Sequence, residues 1–178
     1  MRNAVPTFAL VSEQFQTPCG WIGLVASEQG LYEIFIGVCQ DAVQERLSGY
    51  NLSLESHASR LWLAEARLAI EAYFAAPAAN RPVSFDWRGL TEFAIKVLTC
   101  LAKVPAGQII SYGELARRVG SPGAARAVGG VMANNPFPIL VPCHRVLGSD
   151  GQMTGYSGGK GIATKKLLLA HENVQLVK

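Results

Sequence analysis

The chain of 178 residues has no apolar run approaching the roughly 20 residues needed to span a bilayer. Its one apolar patch near the N-terminus, Phe8-Ala-Leu-Val11, is ended by Glu13 and is too short for a secretory signal. The four cysteines, Cys19, Cys39, Cys100 and Cys143, make no C-x-x-C pair and no zinc-finger spacing, which points to free thiols in a reducing compartment. A metal held by Cys19, Cys39 and His57 is conceivable, but scattered core cysteines are the commoner meaning of such spacing, and no metal is expected. No G-K-[ST] follows a glycine-rich stretch at Walker spacing, which excludes a phosphate loop. What remains is 49% hydrophobic and 16% charged, the balance of a globular chain with one large or two small domains and a real core.

Net charge is only +3, but it is unevenly distributed. Residues 1–90 hold 6 Lys and Arg against 9 Asp and Glu, and residues 91–178 hold 10 against 4. A basic C-terminal half can attract a polyanion, or can simply be a solvated face.

A mixed α/β (α+β) fold is expected, with domains over 1–90 and 91–178. In the first, turn signals at Thr17-Pro-Cys-Gly20 and Ser27-Glu-Gln-Gly30 frame a hairpin of Trp21–Ala26 and Leu31–Ile36. A short helix is predicted over Asp41–Leu47 and a longer one over His57–Ala76, its inner face formed by Leu61, Ala64, Leu68, Ala72 and Tyr73. Val83–Trp87 reads as a strand, and Arg88-Gly89-Leu90 as the linker. In the second domain, Thr91 can cap a helix that turns Phe93, Val97, Leu98 and Leu101 inward. Ser111-Tyr-Gly-Glu114 fits a capping box, and Gly120 ends the helix it opens. Ser121, with Pro122 behind it, can cap the next helix, and the short join reads as helix-turn-helix.

That second helix has little bulk: Gly123, Ala124, Ala125, Ala127, Gly129 and Gly130 surround one long side chain, Arg126. Two helical glycines cost about 1 kcal/mol each relative to alanine. Close packing against another helix would explain them, and so would entry into a DNA minor groove about 6 Å wide.

The apolar run Ile139-Leu-Val141 leads into Pro142-Cys-His-Arg-Val146. A thiol is a weak nucleophile at neutral pH, its ordinary pKa being about 8.5, unless a base takes its proton. For an arbitrary Cys-His pair, a small buried thiol beside a surface imidazole is the better reading. The proline turn directly after a buried run shifts the balance toward chemistry. Thr154-Gly-Tyr-Ser-Gly-Gly159 is a glycine-rich loop of a kind that usually only connects, but its Tyr156 and Ser157 could stack on and hydrogen-bond a flat heterocycle. Ile162–His171 is the closing helix, with Leu167, Leu168 and Leu169 inward. Glu172 at its end is unfavourable for the helix dipole, so a role orienting an imidazole is a good candidate.

Pro142-Cys-His-Arg-Val146 resembles the active-site motif of the O6-alkylguanine-DNA alkyltransferases, the methylated-DNA–protein-cysteine methyltransferases. The likeness extends, in order, over Ile110–Ala116, Ala124–Gly129, Asn135-Pro136, Gly155–Gly159 and Leu168–Glu172. It implies a ribonuclease-H-like α/β N-terminal domain and a winged-helix-like helical C-terminal domain with a helix-turn-helix. It also implies single-turnover transfer of an alkyl group from O6-alkylguanine in double-stranded DNA to Cys143, with O4-alkylthymine as a second candidate and no cofactor.

By position, His144 would be the base acting through a water, Glu172 would hold its ring, and Asn135 would set the active-site turn. Tyr112 would help rotate the nucleotide out and donate to the guanine ring, and Arg126 would fill the gap in the stack. Ala124, Ala125, Ala127, Gly129 and Ser149 would meet DNA. Val146, Tyr156 and Ser157 would form the base pocket. Leu98 stands where many relatives have Trp, and Lys160–Thr164 counts about two residues longer than usual. A monomer is expected, cytoplasmic or nuclear in a eukaryote, with alignment of several copies on DNA left open. The N-terminal half lacks the extra cysteine-rich domain of the family's dual regulator–repair members, so repair without transcriptional control is expected. Two rivals are a non-catalytic lesion-binding protein, against which Cys143 argues, and a cysteine hydrolase, which would need an oxyanion hole and turnover.

Overall fold

The computed structural model describes residues 8–52, 57–79 and 81–175, the side chain of His57 excepted. The chain divides into two compact units, Met1–Gly89 and Leu90–Lys178.

In the first unit, strands β1 (Val11–Thr17), β2 (Gly20–Ser27) and β3 (Gly30–Gly37) form an antiparallel meander, so the expected hairpin is present with one more strand before it. Helix α1 (Gln40–Ser48) sends Val43 and Leu47 against Leu10, Val25, Tyr32 and Phe35. Helix α2 (His57–Ala75) packs across all three strands.

The face that α2 buries differs from the expected one. Leu61 and Leu68 are exposed, as is Ala64, while Leu63, Ala66, Ala69, Ile70 and Tyr73 are buried. The helix is apolar on more than one side. The side carrying Ala66 and Ala69 lets the backbone approach the sheet most closely, and that side wins.

Val83–Trp87 is likewise not a strand. Only Phe85 bridges to Leu31, whose backbone is satisfied by Ser84 and Asp86 at 2.8 Å each. The Asp86 carboxylate then turns inward to accept from Ser27 (2.6 Å) and Arg88, and pairing stops. Cys19 is buried and Cys39 exposed. Among the described residues no group of three or more His, Cys, Asp and Glu could hold a metal, and no helix is long and apolar enough to cross a membrane.

The second unit runs α3 (Glu92–Leu101), β4 (Ile110–Ser111), α4 (Tyr112–Arg118), α5 (Ala125–Ala133), a 3-10 turn (Cys143–Arg145), β5 (Val146–Leu147) and α6 (Ile162–His171). Thr91 caps α3 by accepting from Ala94, and Ser111 caps α4 by accepting from Glu114. Glu114 does not complete a reciprocal box with its side chain, which pairs instead with Arg117 and Arg118. Ser121 does not cap α5. That helix starts four residues later, after a turn in which Gly123 takes φ +91°, a conformation that breaks the helical path.

Leu98, Leu101, Leu115, Ala116 and Val128 are buried where α3, α4 and α5 meet. β4 pairs in parallel with β5, Ile110 beside Val146 and Ser111 beside Leu147, which fixes the start of α4 next to the 3-10 turn. On α6 the buried residues are Thr164, Lys165, Leu168 and Leu169, with Leu167 exposed, because the inward stripe follows the 3.6-residue period and not the run of leucines.

Ile70→Ala should lower unfolding free energy by about 2–5 kcal/mol. Leu68→Ala, on the open side of α2, should stay within about 0.5 kcal/mol. Urea melts of the two variants check this, and equal losses would mean that the helix is seated on its other face.

Candidate active site

The segment after α5 is folded by one asparagine. Asn135 donates from Nδ2 to the Val141 carbonyl at 2.8 Å and accepts from the Phe137 amide at Oδ1, 3.0 Å. Phe137 is wholly buried beneath this loop. Ile139 and Val141 are therefore buried and Leu140 half-buried, but the segment is a turn and not a strand, and Ile139 sits at φ +74°, a costly conformation for a β-branched residue. The Val141 amide bonds Phe137, the Cys143 amide bonds Val141, and the Arg145 amide bonds Pro142. This winding presents Cys143 at the first position of the 3-10 turn.

Cys143 is buried, and burial pushes its thiol up. The Asn135 side chain and the charge of Lys165 pull the other way and only partly offset it. His144 is also fully buried, which removes the surface reading of this residue. Its Nε2 lies 2.7 Å from Glu172 Oε1.

Glu172, just past the end of α6, is the most heavily bonded group of the site. Arg145 donates to both of its oxygens, through Nε at 3.1 and 2.9 Å and Nη2 at 2.7 Å. The Gly107 amide donates to Oε2 at 3.1 Å. Gly107 adopts φ +81°, which lets the Pro105–Gly107 turn aim its N–H at the carboxylate. Burial opposes ionisation of Glu172, but the hydrogen bonds from His144 and Arg145 outweigh it and hold the pKa down to about 2. Burial pushes His144 the other way, below its ordinary value, against the pull of Glu172. The imidazole is thus neutral at neutral pH. Because an ionised carboxylate only accepts, the single ring proton sits on Nε2 and Nδ1 carries the lone pair.

Two functional side chains escaped sequence reasoning. Arg145 enters the sequence reading only as part of the Pro142–Val146 motif, yet its charge is spent on Glu172, with Nη1 on the Val104 carbonyl at 2.5 Å. Lys165 is 1% exposed and donates to the Val146 carbonyl at 2.7 Å. Its position three, four and seven residues before Leu168, Leu169 and Glu172 was the available signal, since that spacing puts it on the buried stripe.

Cys143 opens into a cavity of about 960 Å³. Tyr112 of α4 and Ala125, Arg126 and Gly129 of α5 form one wall, while Ser149, Tyr156 and Ser157 come from the loops opposite. Asn135, His144 and Glu172 stand behind the thiol, outside the wall. Val146 also lies outside it, fully buried, with its carbonyl engaged by Lys165. Ala124 and Ala127 fall outside the wall too, Ala127 exposed. A methyl group added at Gly130 would meet nothing within 4 Å, and one at Gly129 would touch only the Tyr112 ring at 3.9 Å. Packing against a neighbouring helix within the described residues is therefore not what keeps α5 slim.

This geometry can be set beside known proteins. The sequence profile described as "6-O-methylguanine DNA methyltransferase, DNA binding domain" matches residues 92–174. A methylated-DNA–protein-cysteine methyltransferase of Cricetulus griseus is 41% identical over 175 residues, covering 90% of this chain and 80% of that protein. The chain belongs to the methylated-DNA–protein-cysteine methyltransferase family. The like-named Mycobacterium bovis protein is 48% identical over 103 residues, and the match spans only 61% of that relative's length. The solved structure of Mycobacterium tuberculosis OGT in complex with DNA is similar at a TM-score of 0.70 and 33% identity, covering 91% of this chain and 92% of that one. The profile-matched segment contains every residue of the site, from Tyr112 to Glu172.

Glu172→Gln should cost about 3–5 kcal/mol, because Arg145 loses its buried partner. The wild type should lose stability as pH falls, in two windows. His144 titrates below its ordinary 6.5 when folded, so under pH 6.5 the unfolded chain takes the proton first. Glu172 does the same between 4.5 and about 2. Urea unfolding from pH 8 to pH 3 should show both windows in the wild type and should lack the Glu172 part in the variant.

Proposed function

We propose that this chain repairs alkylated DNA by moving the alkyl group of O6-alkylguanine in duplex DNA onto Cys143, once per protein molecule. The observation that carries this reading is a thiol at the floor of a cavity, backed by a neutral imidazole that Glu172 holds, beneath a helix stripped of bulk. The second unit, residues 91–178, is read as both the DNA-binding and the catalytic domain.

His144, through a water at Nδ1, takes the Cys143 proton, and Glu172 and Arg145 keep the ring oriented. The thiolate attacks the alkyl carbon in line. The S–C bond forms as the C–O6 bond breaks, and that electron pair passes to O6 and into the guanine ring. Tyr112 supplies a proton to N3 of the departing guanine, the proton taken up by His144 returns through solvent to the phenolate, and Ser157 donates to O6. Asn135 holds the turn that carries the thiol. Tyr156 completes the base pocket, Val146 serves behind it as the buried carbonyl that seats Lys165, and Lys165 favours the thiolate by its charge. The resulting thioether is not hydrolysed, so the protein is consumed, and the alkyl group comes from DNA without a cofactor.

A base inside the duplex cannot reach a buried thiol, so the nucleotide must be flipped out, at a cost of a few kcal/mol that poor pairing of the lesion lowers. Helix α5 enters the minor groove along Ala124, Ala125, Ala127 and Gly129, with Ser149 adding a backbone contact. Arg126 is exposed on the cavity rim and fills the vacated stack. The likeness to a relative solved on DNA supports DNA as the partner. The protein acts as a monomer in the cytoplasm, or in the nucleus of a eukaryotic cell.

Incubated with duplex bearing labelled O6-methylguanine, the wild type should take up one equivalent of label on Cys143, and Cys143→Ala none. Binding without transfer would indicate a non-catalytic lesion binder, and repeated turnover a hydrolase. Arg126→Ala should slow repair of duplex DNA at least tenfold more than reaction with free O6-benzylguanine, since only the duplex requires flipping. Equal slowing on both substrates would remove Arg126 from that role. Gly130→Ala should raise unfolding free energy by about 0.5–1 kcal/mol, because the helix has room for the methyl group, while weakening affinity for duplex DNA. Unchanged affinity would separate the slimness of α5 from groove entry.

A further inference from the structure

Thr154 begins the glycine-rich loop, and nothing in its sequence context marks it as more than a loop residue. In the folded chain its Oγ1 donates a hydrogen bond to the phenolic oxygen of Tyr112 at 3.0 Å. Both residues line the cavity that exposes Cys143. The Tyr112 ring lies beside α5, where a Cβ added at Gly129 would stand 3.9 Å from ring atom Cε1. The ring thus faces α5, and its hydroxyl is held by the loop across the cavity.

We propose that Thr154 is a positioning residue that turns the Tyr112 hydroxyl into a directed donor toward the base. A phenol oxygen has one proton and two lone-pair directions. With Thr154 donating into one lone pair, the Tyr112 proton must point elsewhere, and the open direction is the cavity. Accepting a hydrogen bond also polarises the phenol O–H and strengthens what it donates. Without the threonine hydroxyl, the phenol proton is free to swing toward the loop. The inference rests on the reading above, in which Tyr112 serves N3 of the departing guanine. There, negative charge builds in the ring as the C–O6 electron pair leaves carbon, and a directed donor at N3 stabilises it. Thr154 transfers no atom itself.

Single-turnover transfer from two duplexes tests this, one carrying O6-methylguanine and the other O6-methyl-3-deazaguanine, in which a C–H replaces N3 and nothing can accept. Thr154→Val keeps the shape and removes the hydroxyl. It should slow transfer from O6-methylguanine about 3–10-fold, the worth of one neutral hydrogen bond. Thr154→Ser, which restores the hydroxyl, should stay within about twofold of the wild type. On the 3-deaza duplex, wild type and Thr154→Val should react alike. In a Tyr112→Phe background, Thr154→Val should cost nothing further. Thr154→Val as fast as wild type on O6-methylguanine, equal slowing on both duplexes, or a further loss in the Tyr112→Phe background would overturn the proposal. A wild-type protein that accepts no label would overturn this proposal together with the repair reading. One that accepts label while Thr154→Val is unaffected would overturn this one alone.

Discussion

A single carboxylate in the interior, that of Glu172, organises the second unit of the chain. It stands at the end of α6, where the helix dipole disfavours negative charge, and burial adds to the cost. Arg145 offsets this through three donor contacts, and His144 and the Gly107 amide occupy the remaining lone pairs. The end of α6, the Pro105–Gly107 turn and the 3-10 turn are therefore tied to one point. Arg145 extends the tie to the Val104 carbonyl, three residues past the end of α3. Such a cluster is satisfied only in one arrangement, so it selects the conformation that carries Cys143 more than it adds stability.

The same cluster sets the charge state at rest. Arg145 and Glu172 cancel, leaving a neutral imidazole and a thiol that burial keeps protonated. Neither group is reactive alone. Moving the thiol proton to His144 creates an imidazolium beside Glu172 and a thiolate near Lys165 and Asn135, so each new charge finds a prepared partner. The interior opposes isolated charge of either sign but accepts this pair. A thiol held this way also resists chance oxidation, which requires thiolate and access.

Much of this was legible before folding because it is local. Thr91 and Ser111 cap the helices they precede, and the Thr17–Gly20 and Ser27–Gly30 turns bound the strands, because each needs only its immediate neighbours. The motif around Cys143 was legible through its likeness to a family. The failures share a cause of the opposite kind. Leu61 and Leu68 lost to Leu63, Ala66 and Ile70 because a helix apolar on more than one side is seated by the sheet it meets. Val83–Trp87 stops pairing because Asp86 finds Ser27 some sixty residues away along the chain. Lys165 is buried for the carbonyl of Val146, and Arg145 for a glutamate on another helix. Partners distant in sequence decide these positions, and no local pattern contains them.

Helix α5 presents the converse problem, a local feature that the folded chain does not explain. Gly129 and Gly130 give up about 1 kcal/mol each relative to alanine. Val128 and Met132, buried beneath them, keep the helix seated. Within the described residues Gly130 has open space around it and Gly129 has only an ordinary contact with the Tyr112 ring, so nothing there forbids a methyl group at Gly130. The proposed function supplies a reason for a residue that destabilises its own helix, an external surface that must come closer than a side chain allows. The open side of the helix lies beside Arg126 and over the cavity that ends at Cys143. On the function proposed above, a minor groove about 6 Å wide would set that distance and join α5 to the chemistry below it.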